Sequence, residues 1–421
     1  MVTWRISAFA AAMLLAVPYG ALAQQQAQKD YPNKPIRMVV PYAAGGPMDF
    51  IGRTLGQKIS PVLGQNFIID NRPGAGGAIG ADAVAKSPPD GYTMGFGVSG
   101  ALTSSVTLNT KQPADLAALD ALVAEADVFI QNFRPGVADR LGVDSARLRG
   151  INPGLVYCAI SGFGASGPDK DRPAFDTVAQ AASGFLRLLV NPEHPRVVGP
   201  AIADAITGFY AAYGILGALH ERHSSGKGRV VEVSMLEAMC HFNLDDFTHY
   251  FSEGEIMGPY SRPNVSQSYV FECADGGWIA LHMSSPAKFW EALAEAVGRP
   301  DMLALPEFAD RNARIGNYEG VVAFLAPIFR TKSREEWRQR LLELEVPSSP
   351  VYASDEVLRT AQVKHLQLEV AADHPEMGEF RTIRTPVSFD GERSSKVLPP
   401  PVLGEHNGEI LSRPRHDQAA E

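Results

Sequence analysis

Cysteine is scarce in this chain. Cys158, Cys240 and Cys273 stand far apart and are the only three. That excludes a disulfide-stapled scaffold and a CxxC-type zinc site. Basic charge is not in excess either. Thirty-eight Lys and Arg against 47 Asp and Glu leave a net charge of −9, which argues against a general nucleic-acid-binding surface. Internal repeats are missing, and low complexity is confined to the glutamines at 24–26. No internal run reaches the ~18 apolar residues that a membrane span requires. What remains is a globular balance, 45% hydrophobic and 20% charged, with length for about two to three domains.

The first 23 residues have their own pattern. Arg5 is their only charge, an apolar stretch fills 6–16, and Pro18 and Gly20 interrupt it. Ala21-Leu22-Ala23 then offers a small-residue cleavage site. This three-part layout predicts a secretory signal peptide over 1–23 and a periplasmic destination.

From Ile36 short apolar runs alternate with glycine turns and helical spacing. A strand is expected at 36–42, a helix at 48–63 on Ile51, Leu55, Ile59 and Leu63, and a second strand at 66–70 before a glycine turn. Further strands are expected at 92–98, 127–131, 155–161, 230–233 and 278–282. Helices are expected at 116–126, 178–189, 207–220, 289–297, 318–329 and 334–344, and an extended tail at 387–401. Strand–helix alternation with glycine turns predicts an α/β fold.

Few residues stand out chemically. Asp204 opens a helix rich in small residues. By type and place it reads as a helix cap. The turn at Asn132, Phe133 and Arg134 follows a strand, where α/β sheets bind ligands. Lys111 and Arg140 are either solvated charges or phosphate contacts. Ser161-Gly162-Phe163-Gly164 lacks the G-x-S-x-G of a nucleophile elbow, and the glycines around Lys227 lack P-loop spacing. His220 and His223 have no ligand-spaced partners, so no metal site is expected.

Two family resemblances overlie these readings. The runs Y-P-N-K-P-I-R-M-V-V-P-Y-A-A-G-G-P-M-D-F-I-G-R, F-I-I-D-N-R-P-G-A-G-G-A-I-G and S-P-P-D-G-Y-T-M-G resemble the start of the periplasmic solute-binding receptors of tripartite tricarboxylate transporters. In that family two glycine turns, here 44–49 and 74–77, hold a carboxylate with backbone N–H groups. The likeness covers 24–103 and lacks the receptor's second lobe.

Beyond it, E-A-D-V-F-I-Q-N-F-R-P-G-V-A-D-R-L-G, S-G-F-G-A-S-G-P, R-P-A-F-D-T-V-A-Q-A-A-S-G, A-D-A-I-T-G-F-Y-A-A-Y-G-I-L-G-A-L, S-G-K-G-R-V-V-E-V-S-M-L-E-A, D-H-P-E-M-G and L-G-E-H follow one another. In this order they resemble the family III CoA-transferases over 104–412. The resemblance implies a Rossmann-like large domain (104–225, resuming at 334–421) with a smaller α+β domain inserted at 226–333, in a homodimer. It implies CoA transfer from an acyl-CoA to a small carboxylic acid, with CoA as substrate and no permanently bound cofactor or nucleic-acid partner.

Asp204 matches the family's nucleophile. Leu108, Lys111, Asn132, Phe133, Arg134, Arg140, Pro173, Ala174, Phe175 and Asp176 match its CoA contacts. Phe175 stands where the related α-methylacyl-CoA racemases carry a proton-transferring His, which disfavours racemisation. The family's first βαβ unit is replaced by the receptor-like segment, which has the same order of elements. The rival readings are a periplasmic carboxylate-binding fragment and an inactive fusion product. Working CoA chemistry implies the cytoplasm.

Overall fold

The computed structural model describes residues 31–45, 47–74, 77–96, 112–284, 287–394, 397–402 and 404–411. The expected signal peptide and the candidates Leu108 and Lys111 lie outside these described residues. The chain divides into two compact units, Met1–Leu119 and Asp120–Glu421. The division falls later than the expected break at 103.

In the first unit the order is β1 (Ile36–Val40), α1 (Pro47–Leu63), β2 (Phe67–Asn71), α2 (Ala78–Ala85) and β3 (Thr93–Gly95). The strands form a parallel sheet of order β2-β1-β3. β1 is central, which is why Ile36, Met38, Val39 and Val40 are all buried. A parallel strand covered on both faces reads as an apolar run. Arg37, the exception, pairs with Asp70 on β2. The expected strand–helix–strand order is therefore present here.

The second unit is entered through α3 (Pro113–Glu125). Then come β4 (Val128–Gln131), α4 (Val137–Leu141), α5 (Ser145–Ile151), β5 (Val156–Ser161), α6 (Asp176–Ala182), α7 (Ile202–Ser225), β6 (Val230–Ser234) and α8 (Met235–Phe242). β4, β5 and β6 make a parallel sheet in that order, with Val128 opposite Val156 and Tyr157 opposite Val230. α7 lays Ala211, Ile215 and Ala218 against Val156 and Cys158. Gly214 permits this close approach, since a Cβ there would press into Val231. Among the described residues α7 is the one helix long and apolar enough to cross a membrane. Its glycines, alanines and tyrosines give it that length without an 18-residue aliphatic run.

α9 (Leu244–Glu253) leads on to β7 (Ser268–Glu272), β8 (Trp278–His282), α10 (Ala287–Ala296), α11 (Tyr318–Phe329), α12 (Arg334–Glu343) and β9 (Ser348–Pro350). The three strands form an antiparallel sheet. One core joins Tyr269, Phe271, Trp290, Leu325, Phe329, Trp337 and Leu341. The expected limits of this smaller domain, 226–333, need correction at both ends. β6 belongs to the parallel sheet, while Trp337, Leu341 and Val346 belong to the small core and β9 to its sheet. The physical reason is the apolar face of α12, which is buried here.

Other expectations shift as well. The helix expected at 178–189 stops at Ala182, because Gly184 takes φ 85° and starts a short 3-10 turn at Phe185–Leu188. An unforeseen hairpin pairs β10 (Glu369–His374) with β11 (Gly378–Ile383). The buried His374 Nδ1 accepts the N–H groups of Glu376 and Met377, each at 3.0 Å, and so shapes its turn.

Candidate active site

The carboxyl ends of β4, β5 and β6 open into a cavity of about 700 Å³. Open parallel sheets bind ligands at this edge, because strands end and loops diverge there. Each strand contributes a wall. β4 is followed by Phe133 and Arg134, β5 by Phe163 and Gly164, and β6 ends at Ser234 with Glu237 beyond it.

Local bonds fix these walls. Gln131 Oε1 accepts the Phe133 N–H at 2.7 Å, and Val137 N–H donates to the Arg134 carbonyl at 3.1 Å, tightening the turn. Tyr157 lies on the floor, stacked on Phe129 with centroids 5.4 Å apart, and donates to the Val143 carbonyl at 2.9 Å. Burial pushes its hydroxyl pKa up, so it stays protonated. Ser161 Oγ accepts from the Gly164 N–H at 3.0 Å, and the Arg172 guanidinium covers the Phe163 ring at 4.8 Å. Ser234 caps α8, its Oγ accepting from Glu237 N–H at 3.2 Å and meeting Glu237 Oε2 at 2.5 Å. Among the described residues Arg134 is the one cation on the wall, which also includes the acidic Asp139, Asp144, Glu232 and Glu237.

Gly162 ties the cavity rim to a second cluster. Its carbonyl accepts from Leu236 N–H at 3.1 Å, and its Cα side is pressed against Ala174. Two residues on, Asp176 begins α6. Its Oδ1 accepts the N–H groups of Ala203 at 2.7 Å and Asp204 at 3.2 Å, and its Oδ2 accepts Gln180 Nε2 at 2.6 Å. Gln180 is buried. Asp204 is the third residue of α7 and is exposed. Desolvation first, then the nearby negative charge of Asp176, hold its carboxyl above the usual carboxylate range.

The helix-cap reading of Asp204 thus passes to Asp176, while Ala201, at the cap position, has no side-chain acceptor. Phe133 and Arg134 stand on the cavity wall. Asn132 is exposed beside them but does not line it. Arg140 is exposed, with its guanidinium by the Gly136 turn, off the wall. Of Pro173, Ala174, Phe175 and Asp176 none lines the cavity; Ala174 presses on Gly162 at its rim, and Phe175 is turned to solvent. Gln180 and Tyr157 were not among the sequence candidates. The i, i+4 spacing of Asp176 and Gln180 is the signal that marks the former.

The receptor-like turns bear differently. The Gly45 N–H donates to Asp49 Oδ2 at 2.8 Å, and the Gly77 N–H to the Gly74 carbonyl at 3.0 Å. These amides already have partners within the chain. Where no metal site was expected, the end of α9 gathers ligand atoms of His249, Glu253 and Glu255 within 4.8 Å of one another. His249 Nδ1 there pairs with Glu255 at 3.1 Å.

The cavity at the carboxyl edge of this parallel sheet is the kind of place where α/β enzymes bind their ligands. Comparison with known proteins places the chain. Residues 87–407 match the model of CoA-transferase family III. A formyl-CoA:oxalate CoA-transferase of Streptomyces avermitilis is 30% identical over 341 residues, 76% of this chain and 82% of that one. A succinyl-CoA–D-citramalate CoA-transferase of Chloroflexus aurantiacus is 28% identical, with 76% and 81% covered. The crystal structure of Rv3272 from Mycobacterium tuberculosis shares the fold, with a TM-score of 0.64 and 24% identity over 90% of this chain and 98% of that one. The chain belongs to CoA-transferase family III and is an enzyme of that class.

Proposed function

We propose that the chain moves CoA from an acyl-CoA to a small carboxylic acid, with Asp204 as nucleophile. The observation that carries this is Asp204 itself, exposed in the first turn of α7 with its carboxyl held above the ordinary range. An Asp204 oxygen attacks the thioester carbon. The new O–C bond forms as C–S breaks, and the electron pair leaves on the CoA thiolate. The thiolate returns to the aspartyl carbonyl of this anhydride, expelling the donor carboxylate and leaving an aspartyl thioester. The acceptor carboxylate attacks that thioester and frees the thiolate, which takes the acceptor acyl group and restores Asp204.

The 700 Å³ cavity, with Phe133 and Arg134 on its wall, supports its role as CoA site. Asn132, Pro173, Ala174 and Phe175 would line the approach, and Arg140 would meet phosphates. The exposed Phe209, Tyr213 and Leu216 on α7 support a homodimer in which a second copy covers them. Residues 24–103 derive, in this reading, from a receptor fragment, in which the Gly45 and Gly77 amides already have partners within the chain. The cytoplasm is the working compartment, since CoA is the substrate. The test is intact-mass spectrometry of the full chain after incubation with a panel of acyl-CoAs and hydroxylamine or borohydride trapping. The expected label sits on Asp204 and vanishes in Asp204→Ala. No label on folded protein overturns the reading.

A further inference from the structure

We propose that Asp176 is the positioning residue of the nucleophile, its carboxylate holding the first turn of α7 and so fixing where Asp204 points. The inference rests on the reading of Asp204 as nucleophile. A helix leaves its first N–H groups without intrahelical partners. α7 has no side-chain cap of its own, because Ala201 stands at the cap position. The acceptor comes from another helix. Asp176, 27 residues earlier in the chain, takes the Ala203 and Asp204 N–H groups on one oxygen. Its other oxygen is gripped by Gln180, which is buried and also reaches the Pro200 carbonyl at 3.4 Å. Asp176, Gln180 and the turn into α7 therefore form one hydrogen-bonded unit. The Asp176 side chain is committed to the nucleophile's own backbone.

The arrangement also has an electrostatic sense. The amino end of a helix favours the charged form of a carboxylate and so makes it a weaker base. Asp176 sets a full negative charge against that partial positive one. Beneath this turn α8 contributes Met235 and Met239, which are uncharged. The charged residue of α8's first turn, Glu237, is bonded to Ser234. α6 contributes Asp176, and α7 carries Asp204 as the acidic residue of its own first turn.

Two variants separate the roles. Asp176→Asn keeps an oxygen acceptor and removes the charge. Asp176→Ala removes both. The readouts are kcat and KM for acyl-CoA across pH, Asp204 labelling, and hydrogen exchange at the start of α7. Asp176→Asn is expected to keep its exchange protection, to lose about 10-fold in kcat and to move the acid limb of its pH profile downward. Asp176→Ala is expected to lose protection at Ala203 and Asp204 and roughly 100-fold in kcat, with KM little changed. If wild-type protein takes the label but Asp176→Ala retains its kcat, or loses only in KM, positioning is overturned and the nucleophile reading stands. If wild-type protein takes no label, both fall.

Discussion

Replacing Gly162 with alanine puts a methyl group where there is no room for one. Gly162 follows β5, and its carbonyl is tied to Leu236 N–H. A Cβ at this position would meet the Ala174 methyl well inside contact distance, and the next atoms in reach are also those of Ala174. That methyl has no rotamer to escape into, so the backbone at 173–176 must retreat by more than about 1 Å to restore ordinary contact. Overpacking of this kind costs about 1–3 kcal/mol of stability. The displaced segment contains Asp176, which holds the first turn of α7. A shift of ~1 Å at a positioning element costs about 100-fold in rate. The assay is isotopic CoA exchange into an acyl-CoA, run beside urea unfolding. We expect kcat/KM to fall about 100-fold with a folded, modestly destabilised protein. The double variant Gly162→Ala/Ala174→Gly should recover most of the rate. A soluble Gly162→Ala enzyme at wild-type rate would falsify the argument, as would a double variant no better than the single one.

Two further outcomes concern stability. Arg334 first, then the Ala353 N–H, hold the Glu356 carboxyl down at about 2. A carboxyl lowered on folding stabilises above its unfolded value of 4.5 and loses that contribution as pH falls towards 2. Glu356→Gln should therefore melt below wild type at pH 7, and the two melting curves should converge in strong acid; a pH-independent gap would refute the linkage. Trp337 packs against Phe329 with the rings tilted and their centroids 4.8 Å apart, and its Nε1 donates to the Phe329 carbonyl at 2.7 Å. Trp337→Ala should cost about 3–5 kcal/mol in urea unfolding, and a loss under 1 kcal/mol would show that the small-domain core is not as described.

The order of strands and helices was legible because each parallel strand is a short apolar run bounded by a turn. β1, β4 and β5 needed no tertiary information. The turn at Phe133 and Arg134 was legible for the same reason, since it ends such a strand. The limits of the smaller domain were not. α12 is dense in charge, and its two core anchors, Trp337 and Leu341, are a single turn apart. Nothing local says which core takes them. The hairpin of β10 and β11 was hidden because a buried histidine, not a glycine pair alone, shapes its turn. Asp204 was singled out by its place before a helix, yet the bond that defines that place comes from Asp176. Long-range capping leaves no mark in sequence spacing.

The parallel sheet of the second unit closes with β6, which ends at Ser234, and the cavity wall needs nothing beyond Glu237. Every residue of the smaller domain's core comes after that point, from Tyr269 to Val346. On a ribosome, which delivers the chain from its amino end, the ligand cleft and the helix bearing Asp204 can therefore assemble while the second core is still being made. The cleft is thus laid down before the smaller domain, and a chain cut short within that domain would still carry a formed cleft.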